Sequence, residues 1–415
     1  MAQVNLQGSN INLVKQHNLQ VILLSLLYEP ILSRTQLAKR TKLSHTTITN
    51  LIAELMDRGI VTEQIATDEE PEELRPVGRP RTKICLEPNA RFVIGIHIGI
   101  SVFRVALTNL RAEIVANQMQ QFDTNAPAGE VLEQIVRTVE AVIDESGVER
   151  DKILGVGVGA SGLVDFTTGV NLLAVNLNWH NIPLREHLQN ELHLPVTVDN
   201  NVRTMAIGET YFGAGRGVDS VAFVYGRTGV GAGLTFKGRV FRGSSKGAGE
   251  IGHSIMQVQG GEPCRCGNSG CLETLVSEFA ILSEARNIAE SNPDGILAST
   301  LRRCEGKPSV ECVFDAARHG DQQAKKLIEE RAYYLGVALA NLVNLFNPEL
   351  ILLGGIFSRG EDLIIEPTLR AIQQLAFGGM GKNVHVQATS FGWKAGVIGA
   401  AALALLHFFY QPLED

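Results

Sequence analysis

Three cysteines stand in a C-x-C-x4-C spacing, Cys264, Cys266 and Cys271, with a histidine upstream at His253. Three thiolates and one imidazole make a closed four-ligand set with no open position, which suits a structural Zn²⁺. The alternative is three unmetallated thiols on a glycine loop. Two carboxylates, Glu250 and Glu273, flank the same loop. Cys85, Cys304 and Cys312 lack such company and read as packing residues. Two further groups of residues carry chemistry near the N-terminus. His45, Thr46, Thr49 and Asn50 are short polar groups of a size to reach base edges and phosphates. Arg75-Pro-Val-Gly78-Arg79-Pro80-Arg81-Thr-Lys83 carries four basic residues and no acidic one. Its Gly-Arg-Pro core is thin and extended, so Arg79 and Arg81 suit a narrow A·T-rich minor groove.

The elements that must position these groups follow from periodicity. A helix is expected over about Gln16–Leu27. Ser33 caps a second at Arg34–Arg40, and Ser44 caps a third running to about Arg58. On the third, Ile48, Leu51, Ile52 and Leu55 share one face, which turns His45, Thr46, Thr49 and Asn50 outward. Ile60–Gln64 and Lys83–Leu86 read as strands joined by a long wing. This is a helix-turn-helix followed by a wing; a three-helix bundle with a solvated polar face is the plain alternative.

From about Phe92 the pattern changes. Strands are expected at Phe92–Ile98, Phe103–Thr108, Ile153–Val158, Pro195–Val198, Ser220–Tyr225 and Leu350–Leu353. Helices are expected at Glu130–Ser146, Asn201–Phe212 and Arg331–Phe346, with a glycine loop at Gly226–Gly233. Strands alternating with helices, and glycines at strand ends, give an α/β architecture with ligands at the carboxyl ends of strands.

The 415 residues carry a net charge of −7 and 45% hydrophobic residues, enough for several cores. Residues 1–60 hold six Lys/Arg against three Asp/Glu, a basic head on an acidic body. Residues 1–20 lack the build of a signal peptide. The longest apolar stretches, Val21–Leu27 and Ala400–Phe409, fall short of the roughly 20 residues a spanning helix needs. The expectation is a cytoplasmic protein, with no membrane segment and with cysteines left unbridged.

Glu250-Ile-Gly-His253, then Cys264-Arg-Cys266-Gly-Asn-Ser-Gly-Cys271-Leu-Glu273, closely resembles the signature of the ROK family (repressors, open reading frames and sugar kinases). The resemblance covers nearly the whole chain. The helix-turn-helix followed by Gly78-Arg79-Pro80 is similar to the family's repressor branch, which includes glucose, N-acetylglucosamine and xylose repressors. It implies a winged helix-turn-helix over 1–88 and a two-lobed actin-like, sugar-kinase-like (ribonuclease H-like) ATPase-type domain. Lobe 1 is expected over 89–200, joined by about 386–415, and lobe 2 over 201–385.

The resemblance further implies that Glu250, His253 and Glu273 contact sugar hydroxyls and that Asn200 matches a sugar-binding asparagine. Asn176 and Gly162 are further candidates. Family kinases carry a Glu-Asn-Asp triplet whose Asp is the general base. Here the triplet is Asp199-Asn200-Asn201, and the amide of Asn201 can hydrogen-bond a hydroxyl but cannot take its proton. The first phosphate loop departs as well. His97 replaces an acidic residue expected to organise Mg²⁺, and Ile100 replaces a glycine. No catalytic residue is therefore assigned.

The resulting expectation is a homodimeric or higher-order repressor that binds an operator in double-stranded DNA. Its effector is a monosaccharide (xylose, glucose or a relative), and the Asn176-Leu-Asn-Trp179 stretch looks nearest to the xylose type. The rival reading is an active ATP-dependent sugar kinase with a DNA-binding head. A third is a regulator sequestered by a protein partner.

Overall fold

The computed structural model describes residues 11–65, 82–244, 246–304 and 309–411. At the N-terminus come helix α1 (Ile11–Tyr28), strand β1 (Ile31–Ser33), α2 (Arg34–Thr41), α3 (His45–Asp57), β2 (Val61–Ile65) and β3 (Thr82–Leu86). The strands form an antiparallel sheet in the order β1-β3-β2. Local chemistry sets the turn. The Ser33 hydroxyl accepts from Gln36 N while the Gln36 side chain accepts from Ser33 N, and Ser44 caps α3 at Thr47 N. Between the two helices Lys42 takes a left-handed φ of 59°. Ile22, Leu26, Leu37, Ile48 and Ile52 are fully buried beneath. Helix α1 is longer than expected because nothing in 11–15 breaks it. Strand β1 was missed: three residues are too few to show a period.

The body begins with β4 (Phe92–Ile98), β5 (Val102–Asn109), β6 (Ile114–Gln121), α4 (Ala128–Ser146) and β7 (Ile153–Ala160). Then follow the small strands β8 (Leu163–Asp165), β9 (Val170–Ala174) and β10 (Trp179–Ile182), helix α5 (Leu184–Leu192), β11 (Val196–Asn200) and α6 (Asn201–Phe212). The main sheet has the order β11-β7-β4-β5-β6, with β11 and β7 parallel to β4 and the β4-β5-β6 meander antiparallel. Helices α4 and α5 bury Val131, Ile135, Val139, Leu184 and Leu188 against one face. Strand β11 runs on through Asp199 and Asn200, two residues beyond the expected end.

A second sheet follows: β12 (Ser220–Gly226), β13 (Val230–Phe236), β14 (Arg239–Phe241), β15 (Leu350–Gly355) and β16 (His385–Ala388), in the order β14-β13-β12-β15-β16. On one face lie α7 (Glu273–Val276), α8 (Glu278–Ser291), α9 (Ile296–Arg303), α10 (Val310–Arg318), α11 (Gln322–Phe346), α12 (Ile356–Arg359) and α13 (Glu361–Leu375), around Phe314, Leu339 and Phe357. The expected glycine loop at Gly226–Gly233 is instead a tight hairpin with strand on both sides. The sequence misleads here because Gly233 serves packing. A Cβ there would lie 2.6 Å from Val202 O and 2.8 Å from Ala206 Cβ of α6.

The chain returns after Ala388 through α14 (Ala395–Leu405), which packs on the main sheet and on α6. The apolar stretch read as Ala400–Phe409 belongs to a longer helical run, Gly392–Tyr410, whose length and hydropathy match a membrane span. It is an internal helix here, with Ala400, Ala401, Ala402, Ala404 and Leu405 fully buried. The expectation for cysteine fails at one place: Cys304 and Cys312 are bonded to each other across the α9–α10 connection. Two helix ends bring their Cα atoms to 6.7 Å, a proximity that spacing in sequence does not reveal. Cys85 is a buried packing residue.

Candidate functional site

A cleft of about 400 Å³ opens where the carboxyl ends of β4, β7 and β11 face the β12–β13 hairpin and the loop before α7. Gly162, Asn176, Asn200, Asn201, Glu250, His253 and Glu273 all line it. The residues expected at a sugar site are therefore brought together, from 111 residues of separation in sequence.

Each side chain is held locally. Asn200 is the N-cap of α6: its Oδ1 accepts from Val202 N at 2.9 Å and Arg203 N at 3.2 Å, and its Nδ2 donates to Gly162 O at 2.9 Å. Most of its capacity is thus committed to structure, leaving one N–H for a ligand. Asn201 donates to Ser161 Oγ at 3.1 Å and is 7% exposed. Gly162 adopts φ +99°, and a Cβ there would sit 2.3 Å from Leu173 O, so only glycine fits. Glu273 accepts Val230 N at 3.0 Å through Oε2. Glu250 opens into the cleft, yet its walls crowd the carboxyl, and that loss of solvent pushes it above the usual carboxylate range. Beneath them Asp199, fully buried, is held by Arg203 Nε at 2.7 Å and by Arg242 Nη2 at 2.8 Å.

The donor atoms of His253, Cys264, Cys266 and Cys271 all lie within 4.8 Å of one another. His253 Nδ1 is 3.7 Å from Cys264 Sγ, and Cys266 Sγ is 3.7 Å from Cys271 Sγ. A tetrahedron with metal–sulfur bonds of about 2.3 Å has sulfur–sulfur edges of about 3.8 Å, so these residues fit a four-coordinate ion. Glycines shape the loop. Gly270, at φ +73°, would place a Cβ 2.0 Å from Gln257 O. Burial pushes the Cys264 and Cys271 thiols up, while the Asn268 backbone N–H holds Cys266 down. A divalent cation would supply the field under which all three ionise.

Several lining residues escaped the sequence reading. Arg265 sits between two of the cysteines and donates to Asn176 Oδ1 across the cleft at 2.6 Å. Arg227 and Ser161 also line it. Arg265 lies inside the cysteine motif, but nothing in a sequence tells which way a loop arginine points. His97 and Ile100 line the cleft as well, and His97 is 4% exposed.

On the head, His45, Thr46, Thr49 and Asn50 are all exposed on the first turns of α3. The Thr49 hydroxyl donates to His45 O at 2.9 Å. Arg79 and Arg81 lie outside the described residues.

Comparison with known proteins covers both parts. The ROK family model matches residues 93–406, and a winged helix-turn-helix DNA-binding model matches 17–62. The chain is 31% identical to the xylose repressor of Caldicellulosiruptor bescii over 407 residues, 97% of this chain and 99% of that one. It is 34% identical over 317 residues to the glucokinase of Halalkalibacterium halodurans, 75% of this chain and 94% of that one. A solved ROK family transcriptional regulator, a homolog of the E. coli MLC protein, superimposes with a TM-score of 0.80 at 27% identity, covering 96% of this chain and 97% of that one.

Proposed function

The chain belongs to the ROK family, and from that membership we propose that it is a sugar-responsive repressor of carbohydrate-utilisation genes. Its winged helix-turn-helix binds an operator in double-stranded DNA, and a monosaccharide in the cleft modulates that binding. The observation that carries the reading is a DNA-binding head on a sugar cleft whose general-base position holds Asn201. Glu250, Glu273, His253, Asn200 and Asn201, with Asn176 and Gly162, hold the sugar. His45, Thr46, Thr49, Asn50, Arg79 and Arg81 contact DNA. Zinc on His253, Cys264, Cys266 and Cys271 supplies a rigid clamp for the loop that carries Glu250 and Glu273. The protein works in the cytoplasm as a homodimer or larger homo-oligomer, because a helix-turn-helix commonly reads a two-fold operator.

Helices α6 and α14 connect the two functions. Helix α6 starts at Asn200 and Asn201 in the cleft, and soon after its end Arg216 Nη2 donates to Leu27 O at 3.0 Å and Tyr28 O at 2.8 Å of α1. Helix α14 starts against His97, and the helical segment that follows it buries Tyr410, whose hydroxyl donates to Leu110 O at 2.7 Å beside the core of the head. Sugar closes the lobes, these two helices shift, and the heads lose their operator spacing.

The 34% identity to a glucokinase favours a second reading, an active ATP-dependent sugar kinase with a DNA-binding head. One experiment separates the two. The purified protein is screened for thermal stabilisation by xylose, glucose and N-acetylglucosamine, then assayed for ADP release with Mg-ATP and the best ligand. Stabilisation and operator release without sugar phosphate support the repressor. Turnover at ordinary kinase rates sinks it.

A further inference from the structure

The three amides that line the cleft differ in what fixes them. Asn200 is oriented by the backbone of α6 and by Gly162 O. Asn201 is oriented close to its own backbone: its Oδ1 accepts from Val202 N at 2.9 Å while its Nδ2 donates to Ser161 Oγ. Asn176 is bound to no backbone group among the described residues; its partner is Arg265. It sits in a short 3-10 turn, Val175–Leu177, between β9 and β10. Ala174, Leu177 and Trp179 are buried around it and fix the turn, and Asn178 leaves it with a left-handed φ of 53°. The carboxamide itself is not fixed by this packing. Half a turn about its terminal bond would exchange a donor for an acceptor at the same point in the cleft.

Arg265 removes that freedom. It lies between Cys264 and Cys266, in a loop closed by Cys264 N donating to Asn268 O at 2.7 Å and Gly267 N donating to Cys264 O at 3.0 Å. From there its Nη1 reaches Asn176 Oδ1 at 2.6 Å from the opposite wall. A guanidinium only donates, so it must face the amide oxygen; turned round, the amide NH2 would meet a cation. A hydrogen bond from a charged donor is also stronger than one between neutral groups. The amide nitrogen, with two N–H donors, is thereby left for the cleft. Glu250 and Glu273, the carboxylates that line the cleft, only accept when ionised.

We propose that Arg265 is a positioning residue of the sugar site: it holds Asn176 with its NH2 toward the cleft, so that this amide donates to a sugar oxygen. This rests on the sensor reading and deepens it. The ligand is a sugar whose one oxygen accepts from Asn176 while other hydroxyls donate to Glu250 and Glu273. Arg265 and Asn176 come from opposite walls, so the donor is oriented only while the walls are close. A sugar that uses it favours the closed arrangement over the open one.

Titration calorimetry of the full chain with xylose and with glucose tests this. Arg265→Ala, which lets the amide turn, should weaken the tighter-binding sugar about threefold to tenfold, the worth of one hydrogen bond. Arg265→Glu, whose carboxylate accepts from the NH2 and so turns the amide oxygen into the cleft, should weaken it further. Asn176→Asp keeps the bridge to Arg265 but offers no donor, and should bind no better than Asn176→Ala. In the Asn176→Ala background neither Arg265 substitution should change affinity, whereas a role confined to holding the metal loop would cost the same in both backgrounds. Wild-type affinity in both Arg265 variants, wild-type affinity in Asn176→Asp, or undiminished losses in the Asn176→Ala background overturns the positioning role and leaves the sensor reading standing. A wild-type chain that binds neither sugar counts against the sensor reading itself.

Discussion

Asn201 can hydrogen-bond a sugar hydroxyl but cannot accept its proton, and His97 cannot hold Mg²⁺ as a carboxylate does. General-base catalysis contributes about 10²–10⁴-fold, and metal-assisted phosphate positioning carries much of the rest. Asn201→Asp alone should therefore give no efficient kinase while leaving sugar affinity within a fewfold. A coupled ADP-release assay showing brisk turnover in that variant would refute the assignment of the second defect to His97. The metal ligands make a separate expectation. Cys266→Ala should lose bound zinc and sugar affinity together, because Glu250 and Glu273 flank the loop that an ion on this cluster would clamp; elemental analysis beside calorimetry decides it, and zinc retained at one per chain would count against the ligand set. His97 also gives a pH dependence. It falls from 6.5 in the unfolded chain to about 3 in the folded one, chiefly through burial and then through Arg104 and Arg227. The unfolded chain takes a proton near pH 6.5 that the folded chain refuses. Its contribution to stability is thus full above pH 6.5 and is lost as the pH falls toward 3. His97→Asn should flatten that acid limb in denaturant titrations, and superimposable wild-type and variant curves would contradict it.

At the scale of elements, glycine contacts decide how closely α14 can approach the main sheet. A Cβ on Gly157 of β7 would lie 2.0 Å from Ala400 O, and one on Gly95 of β4 would lie 2.4 Å from Val397 O. Where α14 crosses α6, a Cβ on Gly399 would meet Thr204 O at 2.5 Å. All three clashes are with backbone, so relief requires moving a whole helix rather than turning a side chain. Overpacking of this kind costs typically 1–3 kcal/mol and sometimes more. Gly157→Ala should lower the melting temperature and displace α14 from the sheet, whereas Gly147→Ala, at a helix C-cap with open space around it, should show only the cost of its φ of +66°. Equal losses in the two variants would mean that close approach is not what the glycine provides.

Across the whole molecule, the head is not an independent bead on a linker. Ile22, Leu26 and Leu27 of α1 share one continuous core with Val93, Leu110, Val397, Ala401 and Tyr410 of the body. Arg216 grips the end of α1 through two carbonyls and stacks 5.8 Å from the Tyr28 ring. Such a junction can pass a cleft movement to the DNA-binding surface. Arg216→Ala should keep sugar affinity and operator affinity near wild type while reducing the release of operator by sugar, read as the ratio of DNA affinities with and without ligand. An unchanged ratio would place the coupling elsewhere.

The sequence by itself determined the local elements and the chemistry of the motifs. Ser33 and Ser44 mark their helices because a cap is made within three residues, and the C-x-C-x4-C spacing brings its sulfurs together because the loop that joins them is short. That His97 and Asn201 are not carboxylates is visible in the letters alone. Tertiary structure decided what depends on groups far apart in the chain. That Gly233 serves the approach of α6 rather than a loop, that Cys304 meets Cys312, that Arg265 reaches Asn176, and that Arg104 and Arg227 converge on His97 all turn on backbone path and side-chain direction. The same holds for the apolar run at 392–410, which has a membrane span's composition but is an internal helix because the main sheet and α6 cover it. Hydrophobicity drives burial without naming the partner, and only the packed fold supplies it.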